Sequence, residues 1–320
     1  MVVTIAAFMY MGSLVIQPGA PPANAHLPGA PTRQLTTFAP LRWTANGSAA
    51  LEDFRDTLLP RMLNTYTAVE AAKYEKDKTT EISRVEPERY DRYNLFNPVV
   101  RCPKGDLVRL GSDGDGGKFL CGEERLQQPG CLVMSIGSHG QYDFEEAVLK
   151  GTACEVHTFD CTYDGASLDG ERHTYHKICA GIKNEKRDGL QFMTLPDMIR
   201  SAMGGRPVDL LKMDIEGFEY EVVSGFQMED SCHFPHQISL EVHYKQLYSM
   251  TDFMGKRDEW RHMLWPMHEL SLGELGVFFG HFANLGYAVV SRDDNPYTGG
   301  EGCCSEFTLI RVEQPAHCHG

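Results

Sequence analysis

Two segments of the chain place acidic residues directly after apolar runs. In residues 210–217, Asp214 and Glu216 follow a run that is typical of a strand buried on both faces. Glu241 and His243 come at the end of a second such run. Carboxylates at strand ends can orient an acceptor. Histidine has an ordinary pKa near neutrality, so His243 is the predicted general base.

A glycine-containing turn and a further acid are placed for binding a nucleotide-like cofactor. Small residues let the backbone approach a ligand closely, and free amides at a helix start can hold an anionic group. Asp160 lies 23 residues beyond Gly137, near the spacing at which a carboxylate meets ribose hydroxyls. These features allow S-adenosylmethionine and a nicotinamide cofactor equally. The predicted cofactor-binding residues are Gly137, Ser138, His139, Gly140, Asp160 and Cys161.

Short apolar runs alternate with helix-like stretches after residue 99, which predicts a βαβ sheet. The expected fold is α/β, with a doubly wound, mostly parallel seven-stranded sheet. The predicted strands are residues 131–136, 155–159, 175–178, 208–213, 237–242, 287–291 and 306–312. The predicted helices are residues 144–150, 195–203, 220–226 and 272–285, and residues 49–78 carry apolar positions at helical spacing. In such a sheet the ligand lies beyond the carboxyl ends of the strands, where the strand order reverses.

The charged run at residues 212–219 resembles the FkbM-type methyltransferase family, whose pattern here is Lys-x-Asp-x-Glu-Gly-x-Glu. The glycine turn, Asp160, and the segments at residues 194–197, 223–225 and 239–243 resemble the family as well, so the likeness spans residues 133–243. Residues 109–111 and 115–118 resemble the segment before the first strand in animal methyltransferase-like proteins related to this family. The resemblance implies a Rossmann-like class I fold, S-adenosylmethionine as cofactor and O-methylation of a hydroxyl. The chain departs from the family pattern in a glycine turn one residue shorter, and in Ser135 where the family commonly has Asp.

The charged residues have two predicted uses. Asp214, Glu216 and Glu241 either orient the acceptor beside His243 or together bind a divalent cation, and we favour the version without a metal. Lys212 is predicted to contact substrate or to pair with a neighbouring carboxylate. Asp115 is predicted to contact substrate.

Two other functions are compatible with the pattern. An NAD-dependent oxidoreductase would use the same glycine turn and Asp160, but it would leave the charged run at residues 212–219 without a role. A secreted binding protein that retains the fold without turnover is the second alternative. Binding of S-adenosylmethionine with product formation separates the methyltransferase from both.

Composition and charge restrict the partners. The formal net charge is −14 and the isoelectric point is about 5.4, and no clustered Lys and Arg are present to neutralise phosphates. We therefore expect no nucleic-acid partner, and a small-molecule, glycan or lipid acceptor instead.

The N-terminal region predicts entry into the secretory pathway. Residues 1–16 carry no charged side chain, and a small-residue cleavage site ends at Ala25. We expect a secreted or ER/Golgi lumenal protein, the alternative being a single-pass membrane protein anchored by residues 1–16. Asn46 begins a glycosylation sequon. The predicted division is a signal segment at 1–25, a stem at 26–48, a helical extension at 49–85, the methyltransferase domain at 86–313 and a tail at 314–320.

The ten cysteines are even in number. Three of them lie close in sequence around a glycine-rich turn, where a disulfide can form, and three others lie in or beside apolar runs and are predicted to be core thiols. The first three are Cys102, Cys121 and Cys131, and the others are Cys154, Cys161 and Cys179.

Overall fold

The structure is a computed structural model. It describes residues 45–60, 91–103, 106–113, 116–122, 124–244, 270, 272–294 and 304–313. Predictions for residues 1–25, for most of the stem, for residues 61–85 of the helical extension and for the tail lie outside these residues. Among the described helices, none is both long enough and apolar enough to cross a bilayer.

The central sheet contains seven strands with one antiparallel member. Their order is β11-β12-β10-β9-β3-β4-β5, and only β12 runs against its neighbours. The expected doubly wound, mostly parallel sheet is therefore confirmed. The chain passes from β3 to β4 and β5 on one side and returns to β9 and β10 on the other, so the strand order reverses between β3 and β9. The strands are β3 Leu132–Ile136, β4 Glu155–Phe159, β5 His173–His176, β9 Leu210–Met213, β10 Gln237–His243, β11 Tyr287–Asp294 and β12 Cys304–Arg311.

Helices cover this sheet at the predicted places. Phe144 and Val148 of α2 pack with Val133 of β3 because apolar residues recur at helical spacing along α2. Thr194 caps α3 by accepting a hydrogen bond from the Asp197 amide. The helices are α1 Ala45–Asp53, α2 Asp143–Gly151, α3 Leu195–Ala202, α4 Glu219–Ser224 and α5 Leu272–Asn284.

The described part of the predicted helical region packs against the main core. Helix α1 begins at Ala45, four residues before the predicted start, and continues as a π-helical turn at Phe54–Leu58. Leu51 and Phe54 are buried in the main core with strands β10 and β12.

The strand predicted at residues 175–178 is wrong by two residues. Strand β5 begins at His173, because His173 and Thr174 pair with Val156 and His157 of β4. These polar residues do not form an apolar run, so hydropathy alone placed the strand too late.

Two small sheets were not predicted. One is a hairpin, whose second strand lies against the main sheet through the Cys121 amide bonded to the Gln237 side chain at 2.7 Å. The other follows β5. The hairpin strands are β1 Leu107–Leu110 and β2 Lys118–Cys121, and the other strands are β6 Cys179–Ala180, β7 Glu185–Arg187 and β8 Leu190–Met193.

The prediction of free core thiols is wrong. Every described cysteine is in a disulfide, and Cys232 and Cys304 are also bonded. For Cys154 the reason is strand adjacency, because Cys131 and Cys154 directly precede the paired first residues of two parallel strands, Leu132 and Glu155. The bonds between described residues are Cys102–Cys121, Cys131–Cys154 and Cys161–Cys179.

Candidate functional site

A cavity of about 330 Å³ lies at the carboxyl ends of the parallel strands. Gly137 after β3, Asp160 after β4 and Asp214 after β9 all line it. The volume is within the range of small-molecule and cofactor sites. The strand ends that sequence reasoning singled out thus meet at one point of the sheet.

The glycine turn, residues 137–140, requires glycine at its first position. Gly137 has a φ of +82°, and a Cβ placed there would lie 1.8 Å from the carbonyl oxygen of Asp214. Any side chain would therefore separate the ends of β3 and β9. His139 also adopts a positive φ, of 45°.

Asp160 holds the glycine turn. Its Oδ2 accepts hydrogen bonds from the amides of Ser138 at 3.0 Å and His139 at 2.7 Å. Its Oδ1 accepts from the Thr162 amide at 2.8 Å and the Thr162 hydroxyl at 2.7 Å. Burial raises the pKa of Asp160, but the amides of Ser138 and His139 outweigh burial and lower it. The carboxylate is therefore ionised, with all four acceptor positions in use.

An apolar wall lies beside Asp160. It includes the disulfide between Cys161 and Cys179 and several apolar side chains. Such a surface can cover a flat aromatic ring. The apolar side chains are Phe159, Ile178, Ala180, Leu190, Phe192 and Phe218.

On the other side of the cavity lies the charged cluster, which consists of Lys118, Asp214, Glu241, His243 and Glu306. Lys118 is 1% exposed, lies 3.3 Å from Asp214 Oδ2 and forms an ion pair with Glu306. Burial lowers the pKa of Lys118, but Glu306 and Asp214 outweigh burial and raise it, so the ammonium stays charged.

The pKa values of Asp214 and Glu241 are shifted in opposite directions. Burial raises the pKa of Asp214, but Lys118 and Lys212 outweigh burial and lower it. Burial and the neighbouring Asp214 raise the pKa of Glu241 well above its ordinary value. Burial also raises the pKa of Glu306, to about 7. Asp214 is thus the member of the pair that ionises first as the pH rises.

The expectation of a near-neutral pKa for His243 is corrected by its surroundings. Burial alone would lower this pKa, but the carboxylates of Glu219 and Glu241 raise it well above the usual value. Nε2 lies 3.4 Å from Glu216 and 3.7 Å from Glu241, and Nδ1 lies 3.3 Å from Glu219. These carboxylates therefore favour the imidazolium form of His243, and an imidazolium does not accept a proton.

The loop after β9 is held by Glu219. Its carboxylate accepts hydrogen bonds from the amides of Ile215 at 3.0 Å and Gly217 at 2.9 Å. Glu216, between them, has a φ of 58° in the left-handed region and faces the cavity. Lys212 donates to the carbonyl of Gly137 and so ties β9 to the glycine turn.

Oxygen and nitrogen donors that could hold a metal ion occur in three groups among the described residues. One contains Cys304, which is disulfide-bonded and offers no thiolate. In the group formed by Asp214, Glu241 and Glu306, the Lys118 ammonium already contacts two of the three carboxylates. The groups are Glu241–His243–Cys304, Asp214–Glu241–Glu306 and Asp214–Glu216–His243.

Most of the residues predicted for the site line the cavity. Gly140 and His243 are not in its lining, and Asp115 lies outside the described residues. Lys118, Glu219 and Glu306 were not predicted. Lys118 precedes the apolar run Phe119–Cys121, and only its contact with β9 and β12 shows that it is buried.

The model of the methyltransferase domain family matches residues 45–311. No curated protein matches the chain significantly.

Three solved structures are similar to the chain. One is a Streptococcus thermophilus protein assigned as a hemolysin, with 13% identity over 59% of this chain and 62% of that chain and a TM-score of 0.36. Another is the Methanococcus jannaschii fibrillarin pre-rRNA processing protein, with 8% identity over 67% and 86% and a TM-score of 0.33. The third is a Listeria monocytogenes protein assigned as an S-adenosylmethionine-dependent methyltransferase, with 10% identity over 58% and 91% and a TM-score of 0.33. Because the family match extends over well more than half of its length, the chain belongs to the methyltransferase domain family.

Proposed function

We propose that this chain is an S-adenosylmethionine-dependent methyltransferase that methylates a hydroxyl group. The observation that carries the proposal is that Gly137, Asp160 and Asp214, from three separate strand ends, line one cavity. The resemblance of residues 212–219 to the FkbM-type family supports an oxygen acceptor.

The residues beside the glycine turn fit this cofactor. The apolar wall can cover an adenine ring, and the Thr162 hydroxyl is the one donor to Asp160 that can rotate away to admit a ribose hydroxyl. When bound there, S-adenosylmethionine supplies a methyl group on a sulfonium. A carboxylate at Asp160 suits an unphosphorylated ribose.

Asp214 and Glu216 have different roles in the proposed reaction. Lys118 and Lys212 lower the pKa of Asp214, so this carboxylate is a weak base and is suited to orienting the acceptor hydroxyl. Glu216 is more exposed and faces the cavity, so it can take up the proton and release it to water. The protonated His243 lies 3.4 Å from Glu216 and holds this side chain in place.

We propose that the reaction uses no divalent cation. The Lys118 ammonium supplies positive charge beside Asp214 and Glu306, where a metal would compete with it. Activity should be unchanged after dialysis against EDTA, measured as methyl transfer to acceptor. Loss of activity that Mg²⁺ or Mn²⁺ restores would refute this proposal.

We also propose that the protein works in a secretory compartment, as a soluble lumenal or secreted enzyme. The pairing of every described cysteine supports an oxidising environment. Expression in cells, followed by fractionation and glycosidase treatment, tests the location. Recovery in the cytosolic fraction would contradict it.

The test of the function is binding followed by turnover. Titration calorimetry should show binding of S-adenosylmethionine and none of NAD, and Asp214→Ala should abolish methyl transfer while the protein remains folded. The matched control is Asp164→Ala, whose carboxylate is 86% exposed. Cofactor binding without any product would favour a non-catalytic binding protein, and binding of NAD would favour an oxidoreductase.

A further inference from the structure

One buried carboxyl group beside the glycine turn has no role in the site described above. Glu145 belongs to the first turn of α2, is 1% exposed and lines the cavity. Its Oε1 lies 2.5 Å from the hydroxyl oxygen of Ser135, which is fully buried on β3. The Ser135 hydroxyl therefore donates a hydrogen bond to this carboxylate.

Glu145 differs from the other buried acids in lacking a cationic partner. Of the five buried Asp and Glu side chains among the described residues, three face a cationic side chain, and Asp160 accepts four hydrogen bonds. Glu145 has neither arrangement. Burying a carboxylate without a cation is costly, and the positive end of a helix offsets only part of the cost. The three paired acids are Asp209 with Arg125, and Glu219 and Glu241 with His243.

The position of Glu145 matches a departure in the sequence. Ser135 stands where the FkbM-type pattern commonly has Asp, two residues before the first glycine. The hydrogen bond from Ser135 shows that helix α2 brings a carboxylate to that same point from outside the strand. The cavity therefore contains an acid that the strand itself does not supply.

We infer that Glu145 binds the α-ammonium group of the methionine part of S-adenosylmethionine. The inference rests on the proposed function. S-adenosylmethionine carries two cationic groups, the sulfonium and the α-ammonium. In the proposed reaction the sulfonium faces the acceptor beside Asp214, so the α-ammonium is the cation available to a carboxylate elsewhere in the cavity. Ser135 is then a positioning residue, because it acts by holding Glu145. NAD carries no primary ammonium, so Glu145 also favours the proposed cofactor over a nicotinamide.

Two ligands isolate this contact, because S-adenosylhomocysteine carries the amino acid part and 5′-methylthioadenosine lacks it. Titration calorimetry on the full chain should show that Glu145→Gln weakens binding of S-adenosylhomocysteine by about 10- to 100-fold, the range for a hydrogen bond to a charged group. Binding of 5′-methylthioadenosine should not change. The matched control is Glu146→Gln, the exposed next residue of the same helix, which should change neither affinity.

A second variant and a stability measurement exclude a purely structural role. Ser135→Ala should weaken S-adenosylhomocysteine alone, by about 2- to 10-fold, as expected for one lost hydrogen bond. Without ligand, Glu145→Gln should unfold at the same or a higher urea concentration, because it removes an uncompensated buried charge.

Several outcomes would overturn the inference. They are unchanged binding of S-adenosylhomocysteine by Glu145→Gln, equal weakening of both ligands, and a lowered unfolding midpoint without ligand. Failure of the wild-type protein to bind either ligand would instead refute the proposed function, and this inference with it.

Discussion

The two sides of the cavity are built on different physical principles. On one side, Asp160 is held by backbone amides and a neighbouring hydroxyl, all within 25 residues of Gly137 along the chain. On the other side, the charged cluster joins ionisable side chains from β2, β9, β10 and β12. Because its donors are neutral, Asp160 stays ionised over a wide pH range. The charged cluster depends on ion pairs, so it is sensitive to pH and to the loss of any member. The first side is suited to holding a ligand and the second to handling a proton.

Loss of Lys118 should have the largest effect. Lys118→Met removes the cation beside Asp214 and Glu306, so two partly buried carboxylates lose their compensating charge. The free energy of unfolding should fall by about 3–5 kcal/mol in urea titrations, and methyl transfer should be lost. Lys150→Met, on the exposed face of α2, is the control and should have neither effect. Equal stability of the two variants would show that the charged cluster does not depend on this ammonium.

Loss of the Asp160 charge should have a smaller effect. Asp160→Asn puts an NH₂ group where an oxygen accepted two hydrogen bonds, so the glycine turn loosens. The free energy of unfolding should fall by about 1–3 kcal/mol, and binding of S-adenosylmethionine should weaken. The control is Asp164→Asn at the exposed ion pair with Lys177. Normal cofactor affinity in Asp160→Asn would mean that the turn does not need this carboxylate.

The two sides should also differ in their response to pH. Because the folded pKa of His243 is raised, its stabilisation is complete below about 6.5 and is lost as the pH rises towards the folded value. The difference in free energy of unfolding between wild type and His243→Gln should therefore shrink above pH 6.5, by up to about 1.4 kcal/mol per pH unit.

The pKa of Asp160 is lowered, so its stabilisation is lost only as the pH falls below about 4. The difference in free energy of unfolding between wild type and Asp160→Asn should stay constant from pH 6 to pH 9. A pH-dependent difference in that range would contradict the proposed contrast between the two sides of the cavity.

Relief of backbone strain at Glu216 should have the smallest effect on stability. Glu216→Gly removes a left-handed φ of 58° from a non-glycine residue, so stability should stay the same or rise by about 1 kcal/mol. Turnover should fall because the proposed proton acceptor is lost. Asp188→Gly is the control, since this exposed residue has a φ of 51° in the turn between β7 and β8. It should give the same change in stability with full activity, and full activity in Glu216→Gly would remove Glu216 from the mechanism.

Periodicity predicted the main sheet better than the smaller elements. The runs that became β3 and β9 are apolar apart from one residue each, because both faces of these strands are buried. Strand β10 was recognised by its alternation of apolar and polar residues. Strand β5 was misplaced because polar residues carry its pairing with β4. The pairs β1–β2 and β7–β8 are short and partly exposed, so hydropathy does not mark them.

The sequence by itself determined which strand ends carry the glycine turn, Asp160 and Asp214, because residue type and order along the chain are local properties. Only the tertiary structure decided which cysteines pair, which of Asp214 and Glu241 has the lower pKa, and that Lys118, Glu145 and Glu306 lie beside the site. Protonation depends on distance and burial rather than on position along the chain. For this reason His243 lies at the strand end that the sequence predicts, but neighbouring carboxylates raise its pKa above the near-neutral value expected from the sequence.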